Sequence, residues 1–124
     1  MTDVFFDVNG GPLVAKAVFL GDLVADYGMF LKEANSNAQT LMLEGDNLND
    51  EDDSSTLPTP VTVNAGRRVK LKTAFVGNHP DINTAYRIVL EIHQDGNLIG
   101  SEEEAGLLTG LGQFSMLFVK LIPQ

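Results

Sequence analysis

The chain has 124 residues, of which 44% are hydrophobic and 20% are charged, as is typical of a single globular domain spanning residues 1–124. This composition excludes disordered, collagen-like and coiled-coil chains, and no uncharged apolar run is long enough to predict a membrane span. Eight basic against 17 acidic residues give a net charge of −9, so nucleic acid and anionic membranes would repel the chain unless its basic residues were strongly segregated.

Two features of the sequence predict a cytoplasmic location. Cysteine is absent, which suits a reducing compartment and excludes disulfides, thiolate metal sites and cysteine nucleophiles. The segment from Met1 to Asp7 carries acids where a signal peptide has basic residues followed by an apolar run.

Hydrophobic residues recur mostly with a period of two, the pattern of strands that bury one face. Glycine, proline and asparagine turns separate the first candidate strands, which are residues 4–8, 13–20, 27–32 and 40–44. After an acidic segment come candidates at 68–76, at 86–93, at a return strand beginning with Leu98, and at 113–122. The turn residues Asp95, Gly96 and Asn97 predict a β-hairpin before Leu98.

Two of these candidates alternate so regularly that their buried faces can be predicted. In the first, the inward positions are Val69, Leu71, Thr73 and Phe75, and the outward positions are Arg68, Lys70 and Lys72. In the second, the inward positions are Tyr86, Ile88, Leu90 and Ile92.

The last candidate strand is apolar on both faces, so its direction must be chosen on other grounds. We expect Phe114, Met116 and Phe118 to fill one side of the core. The opposite side then carries Leu117, Val119 and Leu121. Monomers usually avoid such an exposed apolar patch, so these three residues are candidate contacts to a second subunit and predict a homo-oligomer. The alternative is a central strand whose second face is covered from within the chain, by residues 102–110 or by the N-terminal strand.

About eight strands joined by short turns predict an all-β fold, an antiparallel β-sandwich of immunoglobulin-like general look. The cysteine and tryptophan hallmarks of true immunoglobulin domains are missing. One segment has an alternative, because Ser101 and Glu104 have the spacing of a helix capping box. Gly106 and Gly110 would keep any helix there short.

The segment 46–55 is strongly acidic and has almost nothing apolar to bury. Carboxylate oxygens on a flexible loop suit calcium, and the candidate ligands are Asp46, Asp50, Asp52 and Asp53. The order of an EF-hand fails from either Asp46 or Asp50, since Leu48 stands at the third position in one register and Val61 at the twelfth in the other. The alternative is a solvated loop that only raises solubility.

A basic stripe is the second candidate site, because half of the basic residues fall within the six positions 67–72. Arg68, Lys70 and Lys72 share one strand face, which suits an anionic ligand or an acidic segment of a partner. The alternative is a lysine-protected strand that resists edge pairing. No aromatic residues interleave with the stripe in the sequence, so nucleic acid is not expected to bind.

No catalytic pattern emerges from the sequence. His79 and His93 are the only histidines, no serine stands in a nucleophile elbow, and no zinc-protease, phosphate-loop or dinucleotide motif is present. We therefore predict no enzyme and no cofactor, but a non-enzymatic binding or assembly module that acts through protein contacts. The alternative is a calcium-dependent or carbohydrate-binding module using 46–55, although two tyrosines and no tryptophan offer few stacking platforms for a sugar.

Overall fold

The structure is a computed structural model that describes residues 1–48, 53–78 and 84–124. The described residues form nine strands and one short 3₁₀ turn, at Val61–Asn64. The strands are β1 (Thr2–Phe6), β2 (Leu13–Leu20), β3 (Leu23–Lys32), β4 (Gln39–Asp46), β5 (Ser54–Thr56), β6 (Arg68–Gly77), β7 (Ala85–Gln94), β8 (Asn97–Leu107) and β9 (Gln113–Pro123).

The strands form two sheets that pack as a β-sandwich, which confirms the predicted all-β fold. The five-stranded sheet has the order β1-β9-β6-β3-β4, and the four-stranded sheet has the order β5-β2-β7-β8. All ladders are antiparallel except β1–β9, which is parallel, so the sandwich is mixed and not antiparallel throughout. Because β2 lies in the other sheet, no hairpin forces β1 to run against its neighbour. An immunoglobulin-like topology is not confirmed.

Strands β6 and β7 bury the faces that the alternating pattern predicts. Val69, Leu71 and Thr73 are fully buried on β6, and Ile88, Leu90 and Ile92 are fully buried on β7. The two strands lie in opposite sheets, so these rows meet in the middle of the sandwich. On β6 the cations leave only one face that can be buried at low cost.

The predicted facing of β9 is wrong. Leu117, Val119 and Leu121 are buried in the core, whereas Phe114 is 77% exposed and Met116 is 52% exposed. In an antiparallel ladder, directly opposite residues share a face. Leu117 pairs with Leu71 and Val119 with Val69, so the buried face of β6 sets the buried face of β9. A shift of one residue would have exchanged the two faces.

The segment that begins at Ser101 is a strand and not a helix. It belongs to β8 and pairs with β7 over ten residue pairs, interrupted by one irregularity. The inward carboxylates of this edge strand are satisfied by hydrogen bonds. Glu102 accepts from the Phe118 amide at 2.7 Å and from the Thr2 hydroxyl at 3.1 Å, and Glu104 accepts from the Tyr86 hydroxyl at 3.0 Å. Strand pairing thus outweighs the local capping signal.

Gln94 at the end of β7 fastens the turn between β1 and β2. Its amide nitrogen donates to the carbonyls of Asp7 (2.8 Å) and Gly11 (3.0 Å), and its oxygen accepts from the Asp7 amide at 2.9 Å. Gln94 is buried, so Gln94→Ala takes their partner from the Asp7 amide and the Gly11 carbonyl, while the Asp7 carbonyl keeps its bond from the Gly10 amide. We expect chemical denaturation to show a loss of about 1–3 kcal/mol. The exposed control Asn97→Ala should change stability by less than about 0.5 kcal/mol, and equal losses would contradict this role.

Candidate functional site

The outer face of the five-stranded sheet brings basic and aromatic side chains together. Lys70 on β6 lies opposite Phe118 on β9 and opposite Phe30 on β3, and Lys72 lies opposite Met116. We call this surface the cationic–aromatic face. It consists of Phe30, Lys32, Arg68, Lys70, Lys72, Phe114, Met116, Phe118 and Lys120.

The alternation of each strand explains why these residues share a surface. The inward positions of β3, β6 and β9 are apolar and form the core, so the residues between them must point outward. Strand pairing then aligns the outward positions across the sheet. Five of the eight basic residues of the chain lie on this face. The basic residues are therefore segregated although the whole chain is acidic.

Two lysines of the face lie over aromatic rings. The Lys70 ammonium nitrogen is 4.8 Å from the centre of the Phe30 ring and donates to the Gln39 side-chain oxygen at 3.1 Å. The Lys32 ammonium nitrogen is 5.8 Å from the centre of the Phe118 ring. These cation–π contacts hold the side chains of both lysines along the sheet and keep their charges at the surface.

The positive charges of the face are not neutralised within the part of the chain that the structure describes. There, no ion pair joins any of its five cations to a carboxylate. Burial, together with repulsion from Lys32 and Lys72, lowers the pKa of Lys70. The face is thus a region of crowded positive charge that an anionic partner would relieve.

The apolar part of the face is open to solvent. Phe114 and Met116 are largely exposed and follow one another along β9. Leu111, in the segment that leads into β9, is also 77% exposed. In monomeric proteins, contiguous exposed apolar patches usually mark a surface that binds a partner or ligand.

Acidic residues border the face at the β3–β4 corner. Asp26 pairs with Asp46, and Glu44 follows one step along the same edge. Charge therefore changes sign across the sheet, from basic over β6 to acidic at the outer end of β4. A complementary partner surface would carry acidic residues opposite β6 and basic residues opposite the outer end of β4.

The structure brings together only part of the predicted calcium site. Asp50 and Asp52 lie outside the described residues. Asp53 accepts a hydrogen bond from the Tyr27 hydroxyl at 2.7 Å, and burial together with this bond raises the pKa of Tyr27. Asp46 accepts from the Leu48 amide at 3.0 Å. The described residues contain no group of three or more histidines or acids placed to hold a metal, so the calcium site stays a prediction.

The histidines do not assemble a catalytic group in the described residues. His93 contacts Glu91, with 2.9 Å between its Nε2 and a carboxylate oxygen. A serine that could act with His93 would have to lie beside it. Ser54 lies on β5, and because β2 stands between β5 and β7, the backbones of those two strands are about 10 Å apart. His79 lies outside the described residues.

The sequence indicated half of this site and missed the other half. Arg68, Lys70 and Lys72 lie where predicted, on the outward side of β6. Leu117, Val119 and Leu121 are in the core and offer no surface to a partner. The residues that β9 presents on the outer face are instead Phe114, Met116 and Phe118, and β3 adds Phe30 and Lys32. The register of three strands distant in sequence was the missing information.

Among the described residues, no helix has the length and apolar character needed to span a membrane. Comparison with protein-family models, curated proteins and solved structures gives no match, so the interpretation of the cationic–aromatic face depends on its own geometry and charge.

Proposed function

We propose that the protein is a non-enzymatic binding or assembly module that contacts a protein partner through its cationic–aromatic face. One observation carries this proposal. An acidic chain of net charge −9 collects five of its eight basic residues on one sheet face, next to exposed Phe114 and Met116. Aromatic residues, methionine and arginine are the side chains that protein interfaces favour.

The chemistry of the face indicates an acidic partner segment that also carries apolar side chains. Carboxylates of the partner would lie against Lys70 and Lys72, and its apolar side chains would cover Phe114 and Met116. The apolar contacts would supply most of the affinity, while the charges would set orientation and association rate.

Nucleic acid is the competing partner for a basic and aromatic surface. The sequence argument against it was that aromatic residues do not interleave with the basic stripe, and across the sheet they do, since Phe118 and Phe30 flank Lys70. The stronger argument is electrostatic. Because the cations are segregated, the total charge alone does not decide the partner. The acids Asp26, Glu44 and Asp46 at the outer end of the same sheet would repel a polyanion whose phosphates continue beyond the basic positions. A protein partner with local acidic charge suits the face better.

The other expectations remain proposals. The carboxylate of Asp53 is already engaged by Tyr27, which weakens the calcium or carbohydrate alternative. An immunoglobulin-like relationship would suit a binding module, but fold alone does not determine function. A cytoplasmic location and a homo-oligomer stay predictions.

Selection from a random peptide library on the immobilised protein tests the proposal. We expect the enriched peptides to combine acids with aromatic or large aliphatic residues, and to bind more weakly as salt rises. A short oligothymidylate is the control ligand and should not compete. Enriched peptides without acidic residues would contradict the proposal, and so would an oligonucleotide that binds the same face more tightly.

A further inference from the structure

The two lateral edges of the sandwich differ. At one edge, β8 packs against β1 and β9, and Glu102 ties Thr2 and Phe118 together by hydrogen bonds. At the other edge, β4 lies beside the three-residue strand β5, and a cavity of about 450 Å³ opens between them. The sandwich is therefore closed on one side and open on the other.

Strand β4 has an unpaired edge along this open side. Among the residues that the structure describes, it pairs with β3 alone and is the outermost strand of its sheet. Every second residue of such a strand directs its N–H and C=O groups away from the sheet, where they need hydrogen-bond partners. The edge is thus a template for one more strand.

The side chains of β4 are unusual for an exposed edge. Three large apolar residues follow one another: Leu41 is 47% exposed, and Met42 and Leu43 are half-buried against the core. Edge strands are usually protected by lysine, proline or inward charges, and residues 39–43 contain none of these. The protection that β4 has is a bulge at Met42 and the acids at its end.

We propose that β4 pairs antiparallel with β4 of a second copy of this chain, joining the two five-stranded sheets across a two-fold axis. The charge pattern of the strand supports this occupant. Its acids, Glu44 and Asp46, lie at one end, and the uncharged Gln39 and Thr40 lie at the other. Antiparallel pairing centred on Met42 puts each acidic end against the uncharged end of the other copy, whereas parallel pairing would stack like charges.

The open cavity gives this pairing an apolar component. It is lined in part by Leu31, Leu41, Met42 and Pro58. Side chains from the second β4 would cover its mouth and remove these groups from water. The seven paired residues 39–45 extend over only about 24 Å, and the bulge shortens the regular ladder. The interface is therefore small, and the dimer should form at high micromolar concentrations. It does not depend on the proposed function of the cationic–aromatic face.

Sedimentation velocity of the full chain tests this pairing, with concentrations from about 5 µM to about 500 µM spanning the expected dissociation constant. We expect the mass to rise from the 13.4 kDa monomer toward twice that value. Leu41→Lys places a charge in the centre of the pairing and should raise the dissociation constant at least about tenfold. The matched control is Leu98→Lys, because Leu98 is 54% exposed against 47% for Leu41 and lies in β8 at the other edge. It should leave the dimer unchanged.

Thr40→Glu repeats the test in case Leu41→Lys impairs folding, which circular dichroism would show. Thr40 is exposed, and in this register the new carboxylate would lie opposite Glu44 of the second copy and repel it. Hydrogen exchange should also slow in residues 39–46 as concentration rises, and not in 97–107. A monomer at every concentration would overturn the proposal, as would a dimer equally strong in both β4 variants. Lys72→Glu should leave the dimer intact while weakening peptide binding, so failure of one proposal is distinguishable from failure of the other.

Discussion

Replacing Leu117 by alanine should lower the free energy of unfolding by about 3 kcal/mol, whereas Met116→Ala should change it by less than about 0.5 kcal/mol. The two residues are neighbours on β9 but face opposite ways. Leu117 packs in the core opposite Leu71, so its truncation removes buried apolar surface and leaves a cavity. Met116 is 52% exposed and leaves no cavity when shortened.

Chemical denaturation of both variants under the same conditions measures this difference. The pair is its own control, since both changes remove a large apolar side chain from the same strand. If Met116→Ala were the more destabilising change, the facing of β9 would be reversed. Phe114 and Phe118 would then lie in the core, and the cationic–aromatic face would lose its apolar half.

The double variant Lys70→Glu, Lys72→Glu should weaken binding of a selected acidic peptide at least about tenfold. Each change replaces an attraction for the peptide's carboxylates by a repulsion. Lys70 and Lys72 lie outward on β6 and form no ion pair in the described part of the chain, so the fold should be preserved. Unchanged thermal unfolding would show that the loss is one of binding. Isothermal titration calorimetry measures the affinity.

A second double variant, on the other sheet, distinguishes the effect of charge on the cationic–aromatic face from the effect of the net charge of the chain. Lys16→Glu, Arg87→Glu changes the net charge by the same amount, but these residues lie on β2 and β7. Because Arg87 forms an ion pair with Glu103, thermal unfolding must show that this variant also keeps its fold. We expect it to reduce affinity only slightly, through long-range repulsion that salt screens. Equal losses in both double variants would mean that the peptide responds to total charge and not to the cationic–aromatic face.

The buried faces that the sequence predicted correctly are those of β6 and β7, whose outward positions are mostly polar. On β6, the cations at alternate positions leave a single way to bury the strand. On β9, both faces are apolar, and the choice depends on pairing with β6, which period-two alternation does not contain. The prediction put the opposite face of β9 in the core, but Leu117 opposite Leu71 decides the facing.

The candidate site was only half predictable for the same reason. The basic stripe lies within one strand and is visible in six consecutive positions. Phe30 and Phe118 come from strands far apart in the chain and reach Lys70 only through the ladders of β6 with β3 and β9. Strand β5 was missed because it is three residues long and follows an acidic segment. The capping-box spacing at Ser101 misled because local propensity yields to strand pairing.

The methionine methyl groups allow the most direct test of the cationic–aromatic face. The chain has four methionines, and three of them report on different places: Met116 on the face, Met42 on the β4 edge and Met29 in the core. Titration of ¹³C-methyl-labelled protein with a selected acidic peptide should shift the Met116 signal and leave the Met29 signal in place. A Met116 signal that stays unchanged when the peptide is saturating would contradict the assignment of this face as the binding surface.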